Sequence, residues 1–582
     1  MKKLLLFASL FAINVAIAQD IPQHVSYTRI YDFLDELAGE KIIEINSVVK
    51  PYSRAFIAEK LQEAQLQANQ LNDRQRRELL FFFEEFALDM GELPEGIFPM
   101  VNTKKTKIAL IQPAIHYLDD KATIRITPLL GMHIWKNGNG TITKRWYGAE
   151  LQAMIGKHLS IYGSLRDNSF QGGLLSKPSY LNNFPGAEYK ESNTHGNGDF
   201  SDSRGGIKYA WKGGSVGLIK DNVVWGDNYH GSNILSGRAP SFPMLTLHVK
   251  PVKWFEMNYF HGWLVSNELD STYYYVENLT ADTQKKHYRP HNKFIAANMF
   301  TFTPIRHLNL SIGNSVVYAE NNVQAAYFIP IAFYKSFDHT MTKGVGVENQ
   351  NSQAFINISS RNIKHLHLFG SVFVDEFSVA RLKKSNLEAN PISYKMGANL
   401  SNFPIQNLSV IGEFTRTNII NYKHSIPTLT WASNSYNMGH YLGDNSQEFY
   451  LAFRYKPIRG LDVTLSFMDA KHGKEYEYLR RGTEIDPETG VRNSILSIIS
   501  QPSLGKIIWT NQTIGFNAIY EVFNNAYAIV NVEYSNIKGH ENTDDAVFGE
   551  RKMTAEEALN YFTPAFLHGK NTTIMVGFSF GF

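Results

Sequence analysis

Four groups of side chains in this sequence have types and spacings that suggest chemistry. Gly213-Gly214-Ser215-Val216-Gly217 has the G-x-S-x-G form of a serine nucleophile motif. That motif needs a strand before it and a helix after it, so that a sharp turn lifts the hydroxyl toward an oxyanion hole. Here Leu218-Ile219-Lys220 continues as a strand, so Gly-Gly-Ser reads as ordinary hairpin-turn chemistry. Asn197, Asp199 and Asp202 would offer oxygen ligands to a hard cation, but they lack the spacing and distal Glu of a calcium loop, and a solvated loop is expected. His365 and His367 fall on one face of an expected strand with no evident third metal ligand, which favours a hydrated lumen position. The fourth group is the richest. Trp225, Tyr229, His230 and Arg238 share one loop, and Trp431, Tyr436 and Tyr441 share another. Sugar rings stack on aromatic faces while Asn, Asp and Arg bond the hydroxyls, which makes these seven the candidates for carbohydrate contact. The competing reading is that they are rim aromatics anchoring loops. Nothing in the sequence calls for a catalytic residue, a metal or a cofactor.

The elements that must position these residues are strands. Asn571 to Phe582 closes the chain with Ile574, Val576, Phe578, Phe580 and Phe582 on one face, because strand side chains alternate with period two. An apolar face ending in phenylalanine at the terminus predicts a lipid-facing strand that closes a transmembrane barrel. It also resembles the signal by which barrel-insertion machinery recognises its substrates. At the other end, Met1-Lys2-Lys3, the apolar run Leu4 to Val15 and Ala16-Ile17-Ala18 have the form of a signal peptide over residues 1–18. The chain has no Cys, so neither disulfides nor thiolate chemistry is available. With 30 Tyr, 38 Phe and 42 Gly beside a mildly negative mean hydropathy, the composition fits a wet-lumen barrel with aromatic girdles. A net charge of +3 gives no reason to expect nucleic acid.

Only residues 27–90 read as helical. Ile30, Phe33, Leu34, Leu37 and Ala38 recur at helical spacing before Gly39, and Ser53 would cap a second helix. Asn72 or Asp73 would cap a third, with Leu79, Leu80, Phe83, Phe86 and Ala87 as its stripe. From about residue 120 the period is two, as in Leu461, Val463, Leu465 and Phe467. Short turns such as Lys250-Pro251-Val252-Lys253 and Lys456-Pro457-Ile458-Arg459 alternate with long polar segments. That alternation predicts short periplasmic turns and long outer loops. Counting back from Phe582 gives roughly 18 antiparallel strands, the first near 121–135. Residues 107–118, with Pro113 inside, are assigned to the linker or inner rim. The expected division is 1–18 signal peptide, 19–100 helical periplasmic domain and linker, and 101–582 outer-membrane barrel. Glu413, Glu448, Arg454, Asp462 and Glu521 project to the expected lumen, either lining a polar channel or holding a plug.

Several stretches together resemble the Wzi-like capsule-assembly family of outer-membrane proteins, in its Bacteroidota-type form. They are Tyr31-Asp32-Phe33-Leu34-Asp35-Glu36-Leu37-Ala38, Lys50-Pro51-Tyr52-Ser53-Arg54, Val224-Trp225-Gly226-Asp227-Asn228-Tyr229, Ala239-Pro240-Ser241-Phe242-Pro243, Phe328-Ile329-Pro330-Ile331, Val374-Asp375-Glu376-Phe377 and Gly439-His440-Tyr441-Leu442-Gly443-Asp444. The resemblance implies a barrel with a helical bundle at its periplasmic end and a non-enzymatic role in holding surface polysaccharide. Some relatives look like surface-motility components instead. On this reading the partners are outer-membrane lipid, the polysaccharide and the insertion machinery. A porin or substrate-specific channel stays open, because the same polar lumen would serve it.

Overall fold

The computed structural model describes residues 20–95, 97–111, 114–191, 197–278, 284–341, 349–375, 390–476, 503–543 and 549–581. The expected signal peptide, Pro113, Glu376, Phe377 and Phe582 lie outside them. The alternating pattern builds one closed sheet of eighteen antiparallel barrel strands. They are β1 (Ala122–Asn137), β2 (Gly140–Ile155), β3 (Leu159–Gln171), β4 (Gly198–Trp211), β5 (Gly214–Asp221) and β6 (Phe242–Val252). Next come β7 (Phe255–Leu264), β8 (Lys293–Ile305), β9 (Leu308–Tyr318), β10 (Gln350–Ile363), β11 (Leu366–Asp375) and β12 (Ile392–Ser401). The last six are β13 (Leu408–Thr417), β14 (Ser446–Tyr455), β15 (Leu461–Gly473), β16 (Ile507–Phe523), β17 (Ala526–Gly539) and β18 (Gly569–Phe580). β18 closes on β1, with Ile574 opposite Lys136 and Phe580 opposite Leu130. Closure removes the unpaired edges an open sheet would leave.

Ile574, Val576 and Phe578 stand on the outside of β18, while Phe580 is buried against Phe523 at the rim. The same outward apolar row recurs around the wall at Leu165, Leu218, Ile312, Ile358, Leu465 and Ile514. One end of the barrel carries tight turns, with His307, His365 and Asn525 at positive φ. In two of the proline-bearing turns the strands run further than the sequence suggests. β6 continues through Pro251 to Val252 and β8 through Pro304 to Ile305, with an irregularity in each ladder where proline cannot donate.

Residues 97–111 and 114–118 add a small ladder outside the count of eighteen. Thr106–Ile111 pairs with Ile97–Asn102 and with Ala114–Leu118, whose Ile115 lies opposite Ile126. The first half of β1 therefore meets this ladder and its second half meets β18.

Three helices cap the tight-turn end: α1 (Thr28–Gly39), α2 (Arg54–Leu66) and α3 (Asp73–Glu85). Ser53 accepts the Phe56 N–H at 3.1 Å, and Asn72 forms a reciprocal capping box with Gln75. Phe33, Leu34, Leu37, Ile57, Leu61, Leu79, Phe82 and Phe86 make their common core. Leu79, Phe82 and Phe86 of α3 turn inward at helical spacing, while Leu80, expected in the stripe, is 63% exposed. Opposite its apolar face, α1 presents Arg29, Asp32, Asp35 and Glu36 to the barrel. Two further helices, α4 (Tyr334–Met341) and α5 (Ala555–Phe562), lie in the long connections.

Candidate functional site

β5 is only eight residues long, so the chain leaves the wall early and residues 222–241 run inside the barrel. Val224–Trp225 meets Val49–Lys50 of the helical cap as a two-stranded antiparallel pair, Val49 opposite Trp225. Gly226 N–H donates to Val48 O at 2.8 Å. The Trp225 ring is 2% exposed and meets Phe260 and Phe355 of the wall edge-on, with centroids 5.1 and 5.8 Å away. Beyond it, Asp227 accepts from the Ser47 hydroxyl and from Asn357 Nδ2 (2.7 Å). The Tyr229 hydroxyl donates to Asp35 and lies 2.9 Å from His367 Nδ1, and Asn399 Nδ2 donates to it at 3.0 Å. Burial alone would raise the Asp35 carboxyl. The Arg361 guanidinium, followed by His367, instead holds it well below the usual carboxylate range.

A second loop, residues 418–445, enters beside the first. Trp431 Nε1 donates to Ile234 O at 3.1 Å, Tyr422 hydroxyl to Asn233 O at 2.7 Å, and Ser236 N–H to Met438 O at 2.8 Å. The loop after β3 joins them: Tyr436 hydroxyl donates to Ala187 O (3.0 Å), and Arg238 Nη2 donates to Tyr180 O (2.7 Å) while stacking over Tyr436. Asp444 gathers the loop's own backbone by accepting from Asn421, Tyr422 and Lys423 N–H at 2.8 to 3.1 Å. The result is a plug with an apolar centre, in which Trp225, Ile234, Trp431 and Tyr436 share one cluster with wall residues such as Phe355 and Phe373.

The wall charges hold this plug and the helical cap. Glu413 accepts the main-chain N–H of Tyr229 (2.5 Å) and His230 (3.0 Å) and pairs with Lys395 at 2.6 Å. Glu448 takes His230 Nδ1 (2.9 Å), His440 Nε2 (3.1 Å) and the Tyr441 hydroxyl. Burial would lower the His230 imidazole, but Glu448 against it raises it above its ordinary value. On the cap side, Arg454 pairs with Asp32 (2.8 Å), and Arg29 of α1 lies 3.7 Å from Asp462 and 3.6 Å from Glu521. Of these five residues, Glu413 and Glu448 hold the plug, as one of the two expected uses had it, whereas Arg454, Asp462 and Glu521 hold α1 of the cap.

All seven carbohydrate candidates therefore come together, but in the interior. Trp225, Arg238, Trp431, Tyr436 and Tyr441 are buried, while Tyr229 and His230 are half-buried, the latter stacked on Tyr450 at 4.1 Å. Their ring faces meet one another and the wall along the inward course of both loops. Ser215 sits on β5 just after the Lys212–Gly213 turn and bonds Asp20, with strand on both sides and no helix following. Asn197 accepts Gly172 N–H at 3.1 Å and Asp202 pairs with Arg166 at 3.2 Å. His365 is a turn residue, not a strand residue, and donates its N–H to Gly39 O at 2.7 Å. His367 faces the lumen, as expected, and is buried, packed between Tyr229, Ser359 and Arg361. Asp35, Asp227, Arg361, Lys395 and Asn399 were not foreseen. For Asp35 a signal existed: α1 carries Arg29, Asp32, Asp35 and Glu36 on the face opposite its apolar stripe, as a helix docked on a polar wall requires.

The fold and the occupied lumen define a class: a closed membrane-type β-barrel stoppered by its own loops. The chain belongs to the capsule assembly protein Wzi family, whose profile matches residues 154–544. Among solved structures it is similar to Wzi of Escherichia coli, an outer-membrane protein involved in group 1 capsule assembly and a carbohydrate-binding β-barrel. That likeness covers 95% of this chain and 98% of that one, with a TM-score of 0.53 at 11% identity. OccK8 (OprE) of Pseudomonas aeruginosa matches at 8% identity with a TM-score of 0.41, covering 78% of this chain and 98% of its own. OccAB2 of Acinetobacter baumannii matches at 9% identity with a TM-score of 0.39, covering 79% and 98%. No curated protein matches the chain.

Proposed function

We propose that this protein is a non-enzymatic outer-membrane barrel that binds or organises capsular or exopolysaccharide at the cell surface. The observation that carries the reading is the lumen, where residues 222–241 meet the helical cap through Val49 and Asp35 and residues 418–445 pack against them through Trp431 and Tyr422. A diffusion porin needs a continuous aqueous path; a protein that holds a polymer at one face does not. Membership of a capsule assembly family supports the same reading, and the carbohydrate binding of E. coli Wzi supports a sugar ligand.

In this reading residues 19–100 and the tight turns face the periplasm, and the long loops face outward. The outward apolar rows meet lipid, and β18 is the strand presented to the insertion machinery. Trp225, Tyr229, His230, Arg238, Trp431, Tyr436 and Tyr441 serve the polymer through the floor they build, holding the two plug loops in one shape. Two measurements on the intact protein test the proposal. Planar-bilayer recordings should show no large, steady single-channel current, and cells lacking the protein should retain less surface polymer until the wild type is restored. Large steady currents from the wild type would give the barrel to a channel function, and unchanged polymer retention would remove the capsule role.

A further inference from the structure

Between β7 and β8 the chain leaves the barrel as a separate two-stranded ribbon, Leu269–Asn278 against Gln284–Pro290, outside the barrel sheet. Its base is tied to the plug: Asn267 Nδ2 donates to Ser435 Oγ at 2.7 Å, and Asn434 N–H donates to Val265 O at 2.9 Å. The ribbon is therefore a direct extension of the floor described above.

What it displays is unusual for a surface. Tyr273, Tyr274, Tyr275 and Tyr288 are 60, 45, 65 and 41% exposed. An isolated two-stranded ribbon is marginal in water, and although Tyr274 and Tyr288 meet across the strands with centroids 5.6 Å apart, all four rings keep a wide exposed area. The pairing register sorts the side chains. Tyr274 lies opposite Tyr288 and Tyr275 opposite His287, so Tyr274 and Tyr288 share one face and Tyr275 and His287 the other, while Tyr273 stands in the irregular stretch between Asp270 and Tyr274. Two of the rings carry a cation. Lys286 Nζ lies 4.4 Å from the Tyr274 centroid, and the Arg289 guanidinium 5.5 Å from that of Tyr273. His287 stacks on Tyr275 at 4.8 Å and 7°, which fixes one side of that ring and leaves the other open.

The carboxylates of the two strands are engaged within the ribbon. Glu277 is held by His287 Nε2 at 2.6 Å, and Asp270 accepts from Thr272 Oγ1 at 2.5 Å and from its N–H at 2.8 Å. Lys286 and Arg289 rest on rings and not on these groups. A row of immobilised rings with cations beside them matches one ligand chemistry: a chain of sugar rings bearing regular negative charge. Apolar sugar faces lie on the tyrosines, and the anionic groups meet Lys286, Arg289 and the neighbouring Lys285. Neutral sugar would use the rings alone. A long polymer also engages the ribbon and the floor together, so weak contacts multiply.

We infer that the 269–290 ribbon is the binding element for an acidic polysaccharide, with Tyr273, Tyr275, Tyr274, Lys286 and Arg289 as its contacts. This rests on the polysaccharide reading above and names the class of polymer. The test uses the full-length protein in detergent micelles, with polyuronate, dextran sulfate and neutral dextran of matched length as probes. Wild type should bind both charged polymers about tenfold more tightly than dextran, and added salt should erase that difference. K286Q/R289Q should lose the preference and its salt dependence while keeping weak dextran binding. Y273S/Y275S should weaken all three. Because these side chains are exposed, the barrel's heat-modifiable gel mobility should stay wild type in both variants.

Unchanged polyuronate binding in both variants would overturn the ribbon assignment while leaving the polysaccharide reading standing. Wild-type binding to none of the probes, with polymer retention on cells intact, would overturn the acidic class alone. Tighter binding to lipopolysaccharide micelles than to either charged polymer, lost in K286Q/R289Q, would give the ribbon to lipid headgroups instead.

Discussion

The Tyr229 hydroxyl, carried in by a loop from one end of the barrel, donates a hydrogen bond to the carboxylate of Asp35, on a helix that caps the other end. Separated by 194 residues in sequence, they meet in a cluster that also holds Arg361, His367 and Asn399. The plug and the cap thus form one continuous structure. A disturbance of either should be felt by the other.

Removing the hydroxyl should loosen that joint. Tyr229→Phe takes one hydrogen-bond partner from each of Asp35, His367 and Asn399, at a cost of about 1–3 kcal/mol. The natural chain has no Cys, so a single cysteine at Ser232, buried in the plug, reports on it cleanly. Thiol labelling of that cysteine should be faster in Tyr229→Phe and in Asp35→Asn than in the parent. Equal labelling rates would show that this bond does not hold the plug.

Docking of the cap should depend on pH. Glu85 of α3 bonds Arg125 of β1 at 2.5 Å, Arg54 at 3.2 Å and Asn525 at 2.7 Å. Burial would raise its carboxyl, but Arg125 and then Arg54 hold it down at about 2, against an ordinary value of 4.5. A carboxylate depressed on folding stabilises fully above its unfolded value and loses that contribution as pH falls toward the folded one. Protease cleavage within residues 27–90 should therefore rise as pH falls from about 4.5 to about 2, as read by a protease active in acid. Glu85→Gln should show that loosening already at neutral pH, at about 3–5 kcal/mol, because the Arg125 guanidinium loses its ion-pair partner while Arg54 keeps only Asp89.

The plug's apolar centre should be sensitive to truncation. Trp431 is 1% exposed, donates to Ile234 O and packs on Phe373 with centroids 5.1 Å apart. Trp431→Ala should destabilise the plug by about 3–5 kcal/mol. Retained polymer should fall while the barrel still assembles, and bilayer recordings should show intermittent openings absent from the wild type. A silent variant that keeps all its polymer would place the floor elsewhere.

The outer surface makes a prediction of its own. Val576 stands outward on β18, 47% exposed in the middle of the strand. A lysine there should cost about 2–4 kcal/mol if that surface meets lipid, and should slow assembly into vesicles. Val576→Thr should be close to wild type. Equal assembly of both would mean that this face is not in contact with hydrocarbon.

Much of this architecture was legible from local chemistry. Period-two alternation, as in Leu461 to Phe467, requires two-faced strands whatever the rest of the chain does. The short-then-long rhythm of connections sets their number and their polarity. The caps at Ser53 and Asn72 are equally local, since each satisfies an N–H three residues on. Even the lumen charges Glu413, Glu448, Arg454, Asp462 and Glu521 followed from alternation, because a side chain's face is set by its parity. What parity leaves open is the course of a long loop. Residues 222–241 and 418–445 carry the same Trp, Tyr, Asn and Gly whether they fan outward over a sugar or turn inward as a stopper. The decision came from partners far away in sequence: Val49 for Trp225, Asp35 for Tyr229, and Ile234 for Trp431. The sequence by itself determined the wall and the faces of its strands. Only the tertiary structure decided that residues 222–241 and 418–445 fold into the wall's interior, because burying those rings depends on surfaces that exist once the barrel has closed.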